Sequence, residues 1–129
     1  EPDENNFNLL SKNVNNERAL LLNNAVSSEN VSYKILNSID NRAISIIKDR
    51  KENIKKALTI NQILEDSKYK NFEPFLIKID IEGHESTLFE GNLEWFQKFK
   101  IVIIEIHDWM APNNSFFFDF LRSQNLLKP

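Results

Sequence analysis

The residues best suited to chemistry close two apolar segments. "FLIKIDIEGHE", residues 75 to 85, sets Lys78, Asp80 and Glu82 on alternate positions between Ile77, Ile79 and Ile81, and "KIVIIEIHD" ends on Glu105, His107 and Asp108. In an extended chain a period of two puts the charges on one face and the isoleucines on the other. Carboxylates accept hydrogen bonds or hold cations, and an imidazole titrates near neutral pH, where it can take up a proton. Asp80, Glu82, Glu85, Glu105, His107 and Asp108 together offer oxygen and nitrogen donors to a divalent metal for hydrolysis, although no HExxH or EF-hand spacing accompanies them. The bland alternative is a non-catalytic α/β interaction module with a solvated strand face, on which Lys78 neutralises Asp80 or Glu82.

Regular elements must position these groups. "PFLIKIDIEG" reads as a strand, "HESTLFEGNLEWFQKF" repeats Leu88, Phe89, Leu93, Phe96 and Phe99 at roughly helical spacing, and "KIVIIEIHD" reads as a second strand. Strand, helix, strand is the βαβ crossover, which demands parallel strands and is nearly always right-handed. Ligands of open parallel sheets sit outside the carboxyl ends of the strands, where Asp80, Glu82, Glu105 and His107 fall. Beyond the break at "DWMAPNN", "SFFFDFLRSQNLL" resumes as an amphipathic helix capped by Ser115. Trp109 and Met110 either pack against the Phe116 to Phe120 stretch or wall a bound molecule.

Upstream, "EPDENNFNLLSKNVNN" predicts a helix, with Asp3 and Glu4 in its first turn and Phe7, Leu10 and Val14 on one face. Residues 19 to 26 and 31 to 36 read as strands joined by "SSEN", residues 37 to 56 as loop, and "ALTINQILED" as a strand end followed by a helix capped by Thr59 or Asn61. The expected class is thus α/β with an open, mostly parallel sheet.

The chain has 129 residues, 41% of them hydrophobic, which suits one core and one domain. The net charge is −3, and the densest basic run, "KDRKENIKK", is interrupted by Asp49 and Glu52, so nucleic acid is not an expected partner. Cysteine is absent, which removes disulfide frames and thiolate metal sites and suits a reducing, cytoplasmic setting. Apolar runs such as "IVII" are far below the roughly 20 residues of a membrane span. Gly83 and Gly91 are the only glycines, so no glycine-rich phosphate cradle is encoded. The opening Glu1-Pro2 and the closing Lys128-Pro129 read as those of one partial domain, residues 1 to 129, truncated at both ends.

"LIKIDIEGHESTLFEGN" followed by "IVIIEIH", with "EPDENNFNLLSKNVNN" and "NNAVS" upstream, resembles the FkbM-like methyltransferases. The resemblance implies a Rossmann-like fold of the class I methyltransferase type, S-adenosylmethionine as cofactor, and transfer of its methyl group to a hydroxyl oxygen of a sugar, glycan or polyketide-like acceptor. It implies that Glu1 binds the ribose hydroxyls, that Asn24 and Ala25 meet the adenine edge, and that Asp80 lies by the methionine part. Glu82, His84, Glu105 and His107 would line the acceptor side. The family's glycine-rich first motif is expected before Glu1 and does not occur in these 129 residues, so this chain alone is expected to lack full cofactor binding.

Methyl transfer to a hydroxyl is an in-line displacement, so a protein must align the oxygen behind the methyl carbon and remove a proton. His107, which shares a strand face with Glu105, is the first candidate base and His84 the second. Asp80 acts there either as base or by positioning a polar group.

Overall fold

The structure, a computed structural model, describes residues 1–15, 17–37, 44–48, 55–66, 68, 70–107 and 120–122. The chain forms two compact units, Glu1–Glu73 and Pro74–Pro129.

The first unit opens with α1, Glu4–Asn13. Asp3 caps it: its carboxylate accepts the N–H groups of Asn5 and Asn6 at 3.0 and 2.9 Å, satisfying donors that have no partner within the helix. Glu4 in the first turn and Lys12 in the last suit the helix dipole. Phe7, Leu10 and Val14 form its half-buried face, as their spacing predicts.

Residues 19 to 26 do not form the expected strand. Val26 alone makes an isolated parallel bridge, to Leu58, while Asn23 turns its side-chain amide to the Glu1 carbonyl at 3.1 Å. Asparagine side chains that bond to backbone in this way compete with a strand ladder. The expected strand at 31 to 36 does form, as β1, Tyr33–Asn37. The loop expected over 37 to 56 is interrupted by β2, Ile44–Lys48, which pairs antiparallel with β1 from Tyr33↔Lys48 to Asn37↔Ile44. Polar flanks had hidden this short isoleucine-rich run.

The segment at 55 to 58 lies between two neighbours: Tyr33 N–H donates to the Lys55 carbonyl at 3.1 Å, and Ser27 N–H donates to the Leu58 carbonyl at 3.0 Å. Ala25, Tyr33 and Ala57 form the buried core there, with Val31 and Ile35 packed on it. The Tyr33 hydroxyl accepts the Ala25 N–H at 3.2 Å, and burial raises the phenol's pKa above its ordinary value. α2, Ile60–Asp66, follows a reciprocal capping box: Gln62 N–H donates to Thr59 Oγ1 at 3.2 Å and Thr59 N–H to Gln62 Oε1 at 3.0 Å. Thr59 is therefore the cap.

The second unit contains the predicted βαβ order. β3, Leu76–Ile79, and β4, Ile101–Ile104, pair in parallel, with Leu76 opposite Ile101 and Ile79 opposite Ile104. Between them stand α3, Glu85–Phe89, and a 3₁₀ turn, Phe96–Lys98. The single helix expected there is broken after Phe89, where Asn92 Oδ1 accepts the Glu94 N–H at 2.9 Å in a local Asx turn. Phe89, Trp95, Phe96 and Phe120 form an aromatic cluster with ring centroids 4.7 to 6.0 Å apart in tilted and edge-on pairs. Leu88, Phe89 and Trp95 are buried, and each contributes about 1.5–3 kcal/mol by leaving water.

The described strands thus make one antiparallel and one parallel pair in a mixed α/β chain, and the parallel pair is that of the expected βαβ order. Among the described residues no helix is long and apolar enough to cross a membrane. Asp108, Trp109, Met110, Ser115 and Phe116 lie outside the described residues.

Candidate active site

The alternation in β3 persists in three dimensions: Ile77 and Ile79 face inward, while Lys78 and Asp80 stand exposed on the other face. The ladder continues past β4, where Glu105 N–H donates to the Ile79 carbonyl at 2.9 Å and brings the Glu105 side chain beside that of Asp80. Lys78 Nζ lies 2.6 Å from Asp80 Oδ2 and 3.7 Å from Glu105 Oε2, so one ammonium offsets two adjacent carboxylates. The hydrogen bond from Lys78 holds the Asp80 carboxyl below its usual pKa, and the same bond raises that of Lys78.

Ile81 to His84 form a tight turn, closed by the His84 N–H on the Ile81 carbonyl at 3.2 Å. Both central residues have positive φ, 52° at Glu82 and 90° at Gly83, as in a type I′ turn. Glycine adopts this freely; Glu82 does so at a cost of about 1–2 kcal/mol. Strain at a non-glycine residue is found chiefly where a side chain must be aimed. Here Glu82 Oε2 comes to 3.6 Å from His107 Nε2.

His107 is 7% exposed and Glu85 5%. His107 Nδ1 lies 2.9 Å from Glu85 Oε1, which also accepts the Gly83 N–H at 3.3 Å. Nε2 lies 3.9 Å from Glu105 Oε1. Burial pulls the imidazole pKa down, but the Glu85 hydrogen bond and the negative charges of Glu85, Glu82 and Glu105 outweigh it and leave it above its ordinary 6.5.

Asp80, Glu82, Glu105 and His107 converge. His84 takes the N-cap position of α3, its carbonyl accepting the Leu88 N–H at 3.1 Å. Glu85, read from sequence only as a metal donor, proves to be the buried partner of His107. An acid at the start of a helix ordinarily reads as a dipole partner, which concealed this contact.

Donor atoms of Asp80, Glu105 and His107 lie within 4.8 Å of one another, a spacing that suits a cation. The Lys78 ammonium already supplies the positive charge between Asp80 and Glu105, so the geometry favours an ion-pair network over a metal centre.

In the first unit, Glu1 Oε1 accepts the Asp3 N–H at 2.9 Å, and the Asn24 side-chain amide donates to the Lys56 carbonyl at 3.1 Å. Ala25 is buried in the core, and its N–H is taken by Tyr33. Two residues further, Ser27 is 2% exposed and its hydroxyl has no hydrogen-bond partner among the described residues.

Charged side chains gather at the carboxyl ends of two parallel strands, the place where ligands of open α/β sheets bind. The chain matches the Methyltransferase FkbM domain over residues 1–126, and it belongs to that family of methyltransferases. Neither the curated proteins nor the solved structures provide a match.

Proposed function

We propose that the protein transfers a methyl group from S-adenosylmethionine to a hydroxyl oxygen of a sugar, glycan or polyketide-like acceptor, as one methyltransferase domain of Rossmann-like fold. The carrying observation is the cluster of Asp80, Glu82, Glu105 and His107 beyond β3 and β4 in a chain of the FkbM family.

Each unit offers donor types that suit a part of such a cofactor. Glu1 offers a carboxylate, whose two oxygens match a ribose diol. Asn24 offers an amide for the adenine edge beside Ala25, and the buried Ser27 hydroxyl is a polar atom that a bound ligand would satisfy. Asp80 would meet the methionine part. When bound, the sulfonium supplies an electrophilic methyl carbon and a neutral thioether leaving group.

The chain's own residues then have three tasks. Asp80, kept ionised by Lys78, favours positive charge beside it. Glu105 and Glu82 orient the acceptor by accepting hydrogen bonds from its hydroxyls. His107 Nε2 would take up the proton that the acceptor hydroxyl loses.

The test is transfer of labelled methyl from S-adenosylmethionine to a panel of hydroxyl acceptors by the intact protein. Wild type should label one class of acceptor, and Asp80→Ala and His107→Gln, both folded, should not. Wild-type rates in both variants would reduce the cluster to a solvated strand end.

A further inference from the structure

The two nitrogens of His107 meet different surroundings. Nδ1 lies 2.9 Å from a carboxylate that is itself buried, and Nε2 faces Glu82 and Glu105 at 3.6 and 3.9 Å, carboxylates whose side chains are 34% and 57% exposed. An ionised carboxylate only accepts hydrogen bonds, so the ring nitrogen beside Glu85 must carry a hydrogen. In a neutral imidazole the other nitrogen then holds the lone pair. The separations from Nε2 to Glu82 and Glu105 are longer than direct hydrogen bonds.

We infer that Glu85 is a positioning residue: it fixes His107 in the Nδ1–H tautomer, so that Nε2 is the proton acceptor on the side of Glu82 and Glu105. This rests on the proposed role of His107 as base. Two features of the chain hold Glu85 to the task. Its position at the first residue of α3 buries the carboxylate, and the Gly83 N–H donates to the same Oε1 at 3.3 Å, restraining the carboxylate from a third direction. When His107 takes the acceptor's proton, the imidazolium stays paired with Glu85, whose charge offsets it where both side chains are buried. A merely structural Glu85 would serve the turn and the helix start without selecting a tautomer.

Nitrogen-15 NMR of the His107 ring reads the tautomer directly in the intact wild-type protein, at a pH where the ring is neutral. The inference expects hydrogen on Nδ1; hydrogen on Nε2 overturns it. Glu85→Gln keeps the shape but removes the charge, and its amide can donate as well as accept. That variant should show a mixture of tautomers. Its kcat should fall about tenfold or more, a part of the roughly 10²–10⁴-fold that general-base help supplies, with KM little changed. The acid limb of its pH–rate profile should move to lower pH, since Glu85 acts on His107 alongside Glu82, Glu105 and Asp80. Glu85→Asp, which keeps the carboxylate, should restore part of the rate and the original limb. An unchanged tautomer and limb in Glu85→Gln would overturn the inference, whereas full activity in His107→Gln would overturn the base role and leave the NMR result standing.

Discussion

Glu85 Oε1 and His107 Nδ1 lie 2.9 Å apart with both side chains buried, joining the first turn of α3 to the chain just beyond β4. A buried acid is costly unless it is paired, and this pairing both satisfies it and turns the opposite ring nitrogen toward Glu82 and Glu105.

The pair predicts a pH dependence of stability. The folded-state pKa of His107 is above its ordinary 6.5, so the native state binds the proton more tightly than the unfolded chain. That contribution is fully present below the unfolded value, about 6.5, and is lost as pH rises through the folded value. The Tm advantage of wild type over His107→Gln should therefore shrink as pH is raised from the acid side through neutrality. An advantage that grows with pH would contradict this.

Glu82 should show a conflict between stability and function. Glu82→Gly relieves about 1–2 kcal/mol of left-handed strain and adds about 0.5–1 kcal/mol of unfolded-state entropy, for a net gain of about 0–1.5 kcal/mol. It also removes a negative charge that raises the His107 pKa, so that pKa should fall. Chemical denaturation and histidine NMR report the two effects. A variant less stable than wild type would show that the Glu82 carboxylate contributes more than its backbone strain costs.

Ser27→Ala should stabilise the protein without ligand by about 1 kcal/mol, because it removes a buried hydroxyl that lacks a partner among the described residues. If that hydroxyl meets the cofactor, the same variant should bind S-adenosylhomocysteine more weakly. A destabilised variant would mean that the hydroxyl is already satisfied.

Magnesium or manganese should leave the melting temperature unchanged, since Lys78 already supplies positive charge between Asp80 and Glu105. A rise that saturates with metal, and is lost in Asp80→Asn, would restore the metal-centre reading.

What the sequence made legible was local. The alternation of Lys78 and Asp80 with Ile77 and Ile79 marked a strand with a charged face, and the spacing of β3 and β4 around α3 required parallel pairing. Phe7, Leu10 and Val14 likewise announced the half-buried side of α1. β2 escaped because Ile44, Ile46 and Ile47 sit among polar neighbours, and the paired isoleucines matter only once β1 lies beside them. The break after Phe89 escaped because the apolar spacing ran on across Gly91 and Asn92. The partnership of Glu85 and His107 spans 22 residues, a separation that no local pattern encodes.

The most direct measurement of the central claim is calorimetric titration of S-adenosylhomocysteine into the intact protein, beside its Glu1→Ala and Asp80→Ala variants. The account predicts saturable binding, weakened by about 1.5 kcal/mol or more in Glu1→Ala, as expected when a charged hydrogen-bond partner is lost, and weakened also in Asp80→Ala. No heat of binding from the folded wild-type protein, or equal affinity in all three, would contradict it.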